Sequence, residues 1–277
     1  MFDQEKLERA MQMACDEQVK LLKKSKGGTM KKLKDMDIVY VVKDAAYNDE
    51  LKWSLRSVEK NFPHKRVWFY GGKVVGLHPD KQVVVKQEGS RKYDRVRNML
   101  KMIAENDEIT EDFVLFNDDF FVMDKVESLP YLSDMNLSDL CVRIEIANGY
   151  RPTPYTTELK RTIDALNGAK LTDFNYELHV PIIFNRKRLL KIIEKFPDNR
   201  ATRSLYVNDL LSDDDIDIDE EGLDFEEAKD VKVWGLVEQA VIDPDIPFLS
   251  TEDRAFSDGL IGNFIKEAFP EKSKWES

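Results

Sequence analysis

Long apolar runs are missing from this chain, and cysteine is scarce. No stretch approaches the roughly eighteen apolar residues a membrane-crossing helix needs. The first segment, MFDQEKLERAMQMACDEQVKLL, carries charge throughout where a signal peptide would have an apolar centre. The expectation is a protein that neither spans a membrane nor is exported by that route. Two cysteines in 277 residues, Cys15 and Cys141, have no His or Cys at ligand spacing. That leaves neither a disulfide framework nor a structural zinc site, and a reducing, cytoplasmic setting fits best. Positive charge is also in deficit: 42 Lys and Arg face 53 Asp and Glu, for a net charge of -11. That balance argues against a broad phosphate-tracking surface, so a nucleic-acid partner is possible but not favoured, and a local basic cleft is compatible with the totals.

Residues 3 to 25 read as a helix with a narrow apolar stripe through Leu7, Met11, Ala14, Leu21 and Leu22, stopped by Gly27 and Gly28. With the basic segment KKSKGGTMKKLK it makes an expected N-terminal helical extension and linker over 1–34. From Asp37 the pattern changes to short apolar runs alternating with helical stretches: DIVYVV, NDELKWSLRSVEKNF, RVWFY, QVVVK, KYDRVRNMLKMIAEN and FVLFN. Such alternation predicts an α/β sheet with crossover helices, a single domain over 35–277 with helical decoration. Further on, HVPIIFN reads as a strand, RKRLLKIIEKF as an amphipathic helix ended by Pro197, and EDRAFSDGLIGNFIKEAF as a helix stopped by Pro270. The acidic tract SDDDIDIDEEGLDFEE, in a loop of about 212–230, lacks the glycine position and ligand spacing of a calcium loop and reads as a solvated connection.

In open α/β sheets ligands gather at the carboxyl ends of the strands. Lys43-Asp44 follows the first run, Gly71-Gly72 the second and Asn117-Asp118-Asp119 the last, which nominates one rim as the site. In FVLFNDDFFVM, three acidic or amide side chains sit between two runs of large apolar residues. Burying two adjacent carboxylates in a continuous strand costs several kcal/mol unless they are paired or hold a cation. They therefore belong to a turn, hold something, or both. Two carboxylates at a strand end suit Mg²⁺ or Mn²⁺, which neutralises the diphosphate of a nucleotide-sugar. Arg95 and Arg97, upstream of the motif, have the planar donor fork that clamps a diphosphate, with a solvated helix face as the alternative.

Four blocks in order give a resemblance. NDELKWSLRSVEKNFP and FVLFNDDFFVM resemble the second conserved region of the Stealth family, sugar-1-phosphate transferases that include capsule-building enzymes and the lysosomal-enzyme GlcNAc-1-phosphotransferase. ELHVPIIFNRKRLLKIIEKFP with TRSLYVND is similar to the third region, and STEDRAFSDGLIGNFIKEAFPEKSKWE to the fourth. The first region differs: DIVYVVKD runs almost directly into AAYNDELKWSLRS, without the family's Trp-Val-Asp-Gly, as in a distant, compact member. The resemblance implies a GT-A-like mixed sheet with flanking helices and transfer of a sugar 1-phosphate from a UDP-sugar to a hydroxyl-bearing saccharide acceptor. It implies a general-base role for His179, one of three histidines, with Asp118 and Asp119 on the metal. Asp44, Asn48, Arg56, Arg95, Arg97, Asn98, Asn117, Arg203, Ser204, Asp253 and Arg254 complete the expected substrate site. Two alternatives stand beside it: a GT-A glycosyltransferase releasing UDP, with a saccharide or modified-nucleobase acceptor, and a non-catalytic sugar- or nucleotide-binding module.

Overall fold

The computed structural model describes residues 32–43, 45–86, 92–213, 225–227, 247–251, 256–257 and 259–277. The expected helix over 3–25, Asp44, most of the acidic loop, Asp253 and Arg254 lie outside them.

Four strands form a parallel sheet. β1 (Asp37–Val42) lies between β2 (Val67–Gly71) and β4 (Asp112–Phe116), and β3 (Lys81–Val84) extends the β2 edge. β7 (Ile182–Asn185) closes the other edge antiparallel to β4, giving the order β3-β2-β1-β4-β7. β2 is buried along its whole length and β1 almost so, as unbroken apolar runs of interior parallel strands should be. Asp37, fully buried at the start of β1, accepts from Arg66 Nε at 2.9 Å, Trp68 Nε1 at 3.0 Å and Thr110 N at 3.1 Å. It closes the amino end of the sheet, opposite the rim.

Crossover helices connect the strands: α1 (Asp49–Asn61) and α2 (Lys92–Glu105), with α3 (Leu137–Ala147), α4 (Pro154–Gly168), α5 (Arg186–Lys195) and α6 (Thr202–Leu211) in the second half. α2 packs on α5, α3 on α4, and α5 on α6. The fold class is the expected one in its α/β architecture, a mixed, mostly parallel sheet flanked by helices. Among the described residues no helix is long and apolar enough to cross a membrane.

Several elements depart from the sequence expectation. The strand expected from His179 begins only at Ile182: Pro181 has no N–H to give a ladder, so His179, Val180 and Pro181 form a lead-in. The described part of the last helix, α7 (Leu260–Ala268), starts behind Gly259 and ends before Pro270. β5 (Phe120–Val122), which the sequence did not separate from β4, leaves the main sheet and pairs antiparallel with β9 (Phe248–Ser250). β6 (Tyr131–Ser133) pairs with β8 (Phe225–Glu227) in a second two-stranded ribbon.

β5 gains a helix as its second neighbour. Ser54 Oγ of α1 donates to Phe120 O at 2.5 Å, Val122 N donates to Ser57 Oγ at 2.9 Å, and Asn61 Nδ2 donates to Val122 O at 2.7 Å. Positions 54, 57 and 61 recur at helical spacing, so one polar stripe on a buried helix face takes the place of a strand. Arg56, on the same helix, grips the C-terminal segment: Nε and Nη2 each meet a Glu276 carboxylate oxygen at 2.7 Å, and Nη1 donates to the carbonyls of Phe269 and Pro270.

Candidate active site

Between β4 and β5 the chain turns at Asn117, Asp118 and Asp119, with Phe120 N donating to Asn117 O at 3.4 Å. The acidic pair thus sits in a turn at the carboxyl end of a central parallel strand, where the sequence had put the rim. The antiparallel β7 brings a second part to the same place. Leu115 is opposite Ile182, so the lead-in carrying His179 lies beside the residues just past β4. β9 supplies a third, because Phe120 is opposite Ser250.

Asp118 Oδ2 accepts from Asn48 Nδ2 at 2.6 Å. Asn48 also caps α1, its Oδ1 accepting from Leu51 N at 2.9 Å, so the helix N-terminus is tied to the acidic turn through one side chain. Beneath the turn, Tyr40 Oη and Ser54 Oγ are 2.9 Å apart. Burial drives the Tyr40 phenol far above its usual range, outweighing its bond to Ser54, and the nearby Asp118 charge pushes the same way. Tyr40 is a fixed neutral hydroxyl.

Asp119 Oδ2 lies 3.3 Å from Ser250 Oγ and 3.5 Å from His179 Nδ1, and Ser250 Oγ is 3.4 Å from the same nitrogen. A carboxylate can only accept, so the single Ser250 hydroxyl proton goes to Asp119. Ser250 then accepts from His179, which assigns the proton of the neutral imidazole to Nδ1 and leaves the Nε2 lone pair open. The His179 side chain is 45% exposed. The other oxygen, Asp119 Oδ1, is buried with no hydrogen-bond partner among the described residues. An unmatched buried carboxylate oxygen is costly unless a cation or a donor arrives.

The remaining expected site residues divide. Arg203 is buried on α6, with its guanidinium carbon 5.6 Å from the centre of the Phe120 ring. Burial pulls its pKa below the usual guanidinium range, against the neighbouring Glu177 and Asp119 charges. Arg203 Nη1 donates to the carbonyls of Leu178 at 2.8 Å and Val180 at 2.6 Å. Ser204 N donates to Glu177 Oε1 and Ser204 Oγ accepts from Tyr176 N, at 2.9 and 3.0 Å. Arg203 and Ser204 hold the backbone around His179. Arg56 is committed to Glu276, and Arg97 Nη2 to the carbonyls of Ile193 and Phe196 at the end of α5. Arg95 is half-buried and Asn98 exposed on α2, and neither makes a bond to the acidic turn among the described residues. Asp44, Asp253 and Arg254 fall outside those residues. Ser250 escaped the sequence reading, as did Thr251, whose N donates to Asp119 O and whose Oγ1 donates to Glu50 Oε1 at 2.9 Å. Their one signal was position, directly ahead of the Glu-Asp-Arg stretch.

No known sequence family matches this chain, and no curated protein does. Among solved structures it is similar to the galactosyltransferase LgtC in complex with donor and acceptor sugar analogs. Sequence identity is 14% and the TM-score 0.38, over 69% of this chain and 73% of that one.

Proposed function

We propose that this chain is a metal-assisted transferase that moves a sugar 1-phosphate from a nucleotide-diphosphosugar, a UDP-sugar, to a hydroxyl of a saccharide acceptor, the activity implied by its resemblance to the Stealth family. The observation that carries the reading is the acidic turn at the end of β4 beside an exposed histidine whose Nδ1 faces Asp119 and Ser250. The acceptor oxygen attacks the β-phosphorus, the new O–P bond forms, and the bond from that phosphorus to the bridging oxygen breaks. Nucleoside monophosphate leaves with the bridging oxygen, and the acceptor proton passes to His179 Nε2. Ser250 and Asp119 hold the imidazole in the tautomer that can take it, and they stabilise the imidazolium that results.

The donor chemistry of the turn fits a hard divalent cation. Its ligands would be carboxylate oxygens, and Asp119 Oδ1 is buried without a partner among the described residues. Asp118 and Asp119 would hold Mg²⁺ or Mn²⁺, with phosphate oxygens or water filling the set. Bound there, the ion neutralises the diphosphate and the charge developing on the leaving group. The sparse cysteine supports a reducing, cytoplasmic setting for the reaction.

A second reading is glycosyl transfer, with attack at the anomeric carbon and loss of nucleoside diphosphate. The observation favouring it is the compressed first region, where DIVYVVKD lacks the family's Trp-Val-Asp-Gly. Incubating the protein with a panel of nucleotide-sugars, Mn²⁺ and saccharide acceptors, and identifying the nucleotide released, tests both. Monophosphate supports the proposal, diphosphate the second reading, and binding without release a non-catalytic module.

A further inference from the structure

The two carbonyls that flank His179 in sequence, those of Leu178 and Val180, are both taken by one nitrogen, Arg203 Nη1, at 2.8 and 2.6 Å. A guanidinium that bridges the carbonyls on either side of a residue fixes that residue's backbone direction, because both anchors must move for it to swing. α6 supplies more such anchors along the same segment. Ser204 donates its backbone N to Glu177 Oε1 and accepts from Tyr176 N, while Asn208 accepts from Phe174 N at 3.0 Å and donates to Phe174 O at 2.8 Å. The stretch from Phe174 to Val180 has little regular structure of its own, and side chains of one helix take part of its backbone, while Asn175 N goes to Met135 O and Glu177 N to Asn175 Oδ1. Arg203 is the member of that set nearest the chemistry. It lies over Phe120, the residue that follows Asp119, and His179 meets the same ring edge-on with centroids 6.2 Å apart.

We infer that Arg203 is a positioning residue, which sets His179 against Asp119 and Ser250 through the Leu178 and Val180 carbonyls and so fixes the Nδ1-protonated tautomer. The inference rests on the proposed base role of His179. It assigns Arg203 a different task from the substrate contact that the resemblance implied. The donor diphosphate need not touch Arg203 for its loss to slow turnover. Displacing a reacting group by about 1 Å can cost on the order of 10²-fold in rate.

The test compares wild type, Arg203→Ala, Arg203→Lys and His179→Ala by thermal unfolding, by donor KM and kcat, and by the ring-nitrogen NMR signals of His179 at alkaline pH, where imidazoles are neutral. In the wild type the signals should report a proton on Nδ1. In Arg203→Ala they should move towards the Nε2-protonated form usual for a free histidine, with kcat down about 10- to 100-fold and donor KM within about three-fold of wild type. Arg203→Lys keeps charge and donors on a shorter reach and should fall between the two. If Arg203→Ala does not fold, Arg203→Lys carries the comparison. The double variant Arg203→Ala/His179→Ala, or its Lys counterpart, should be no slower than His179→Ala alone, since the effect runs through the histidine. Wild-type His179 signals in a folded Arg203 variant would overturn the inference, as would a rise in donor KM matching the loss in kcat. Full activity in His179→Ala would instead remove the base reading while leaving the NMR comparison intact, so the two failures are distinguishable.

Discussion

Asn48 Nδ2 reaches Asp118 Oδ2 at 2.6 Å across 70 positions of sequence, while its Oδ1 caps α1 through Leu51 N. One amide thus fixes the helix start and one carboxylate of the acidic turn, each by the only group of the amide suited to it. Asn48→Asp separates the two roles. Aspartate caps a helix about as well as asparagine, so that half of the interaction survives. The donor to Asp118 is replaced by a second carboxylate that repels it. Thermal unfolding should move little and turnover should fall at least about ten-fold, the loss of roughly one charge-assisted hydrogen bond. Wild-type turnover in this variant would show that Asp118 does not depend on Asn48.

Asp118→Asn and Asp119→Asn should each reduce transfer by about two orders of magnitude or more with nearly unchanged melting, since shape is kept and the charge that the proposed metal diphosphate would face is lost. Chelation of the wild type should have the same effect, reversed by Mn²⁺. The structure adds a distinction. Asp119 Oδ2 also serves His179 and Ser250, and Oδ1 is buried with no partner among the described residues, so on the proposed reading Asp119→Asn would disturb the base as well as the metal site. It should be the more damaging of the two, by kcat at saturating donor and metal.

Ser54 stands between Tyr40 Oη, at 2.9 Å, and Phe120 O, at 2.5 Å, in a fully buried part of the core. Ser54→Ala leaves a buried phenol and a buried carbonyl short of a partner and should cost about 1–3 kcal/mol in urea unfolding. In a Tyr40→Phe background the same substitution should cost less, because one of the two orphans is already gone. Equal costs in both backgrounds would show the hydroxyls to be uncoupled.

Glu276 gives an expectation about pH. Burial would raise its pKa, but hydrogen bonds and charge from Arg56 and donors on Ser273 outweigh that and hold it below the ordinary value of 4.5. A carboxylate depressed in the folded state adds stability that is fully present above its unfolded pKa and is lost as pH falls through the folded one. Acid titration of stability should therefore show a component lost below about pH 4.5, and Glu276→Gln should lack it while being less stable at neutral pH. Both side chains of the pair are nearly buried, at 8% and 3% exposure, so Arg56→Met should cost about 3–5 kcal/mol by stranding the partner charge.

The parallel strands were legible because interior strands must be apolar throughout, and DIVYVV and RVWFY admit little else. The acidic turn was legible because two carboxylates between apolar runs have few stable places to go. The arginines were not legible. Arg56, Arg97 and Arg203 each end on backbone carbonyls distant in sequence, and a guanidinium suits carbonyl and phosphate oxygens alike. The short β5 was hidden for a related reason. Half its backbone partners are the side chains of Ser54, Ser57 and Asn61, which in one dimension read as ordinary polar positions of a helix. Ser250 became visible only when the antiparallel pairing of β5 with β9 set it beside Asp119.

The reaction itself is tested most directly by the fate of the β-phosphorus. A UDP-sugar labelled with ³²P at the β-phosphate, incubated with protein, Mn²⁺ and saccharide acceptor, should deliver its label to the acceptor as a sugar phosphodiester while unlabelled UMP is released, and Asp119→Asn should abolish both. Label retained in released UDP, with unlabelled sugar on the acceptor, would contradict sugar-1-phosphate transfer and establish glycosyl transfer in its place.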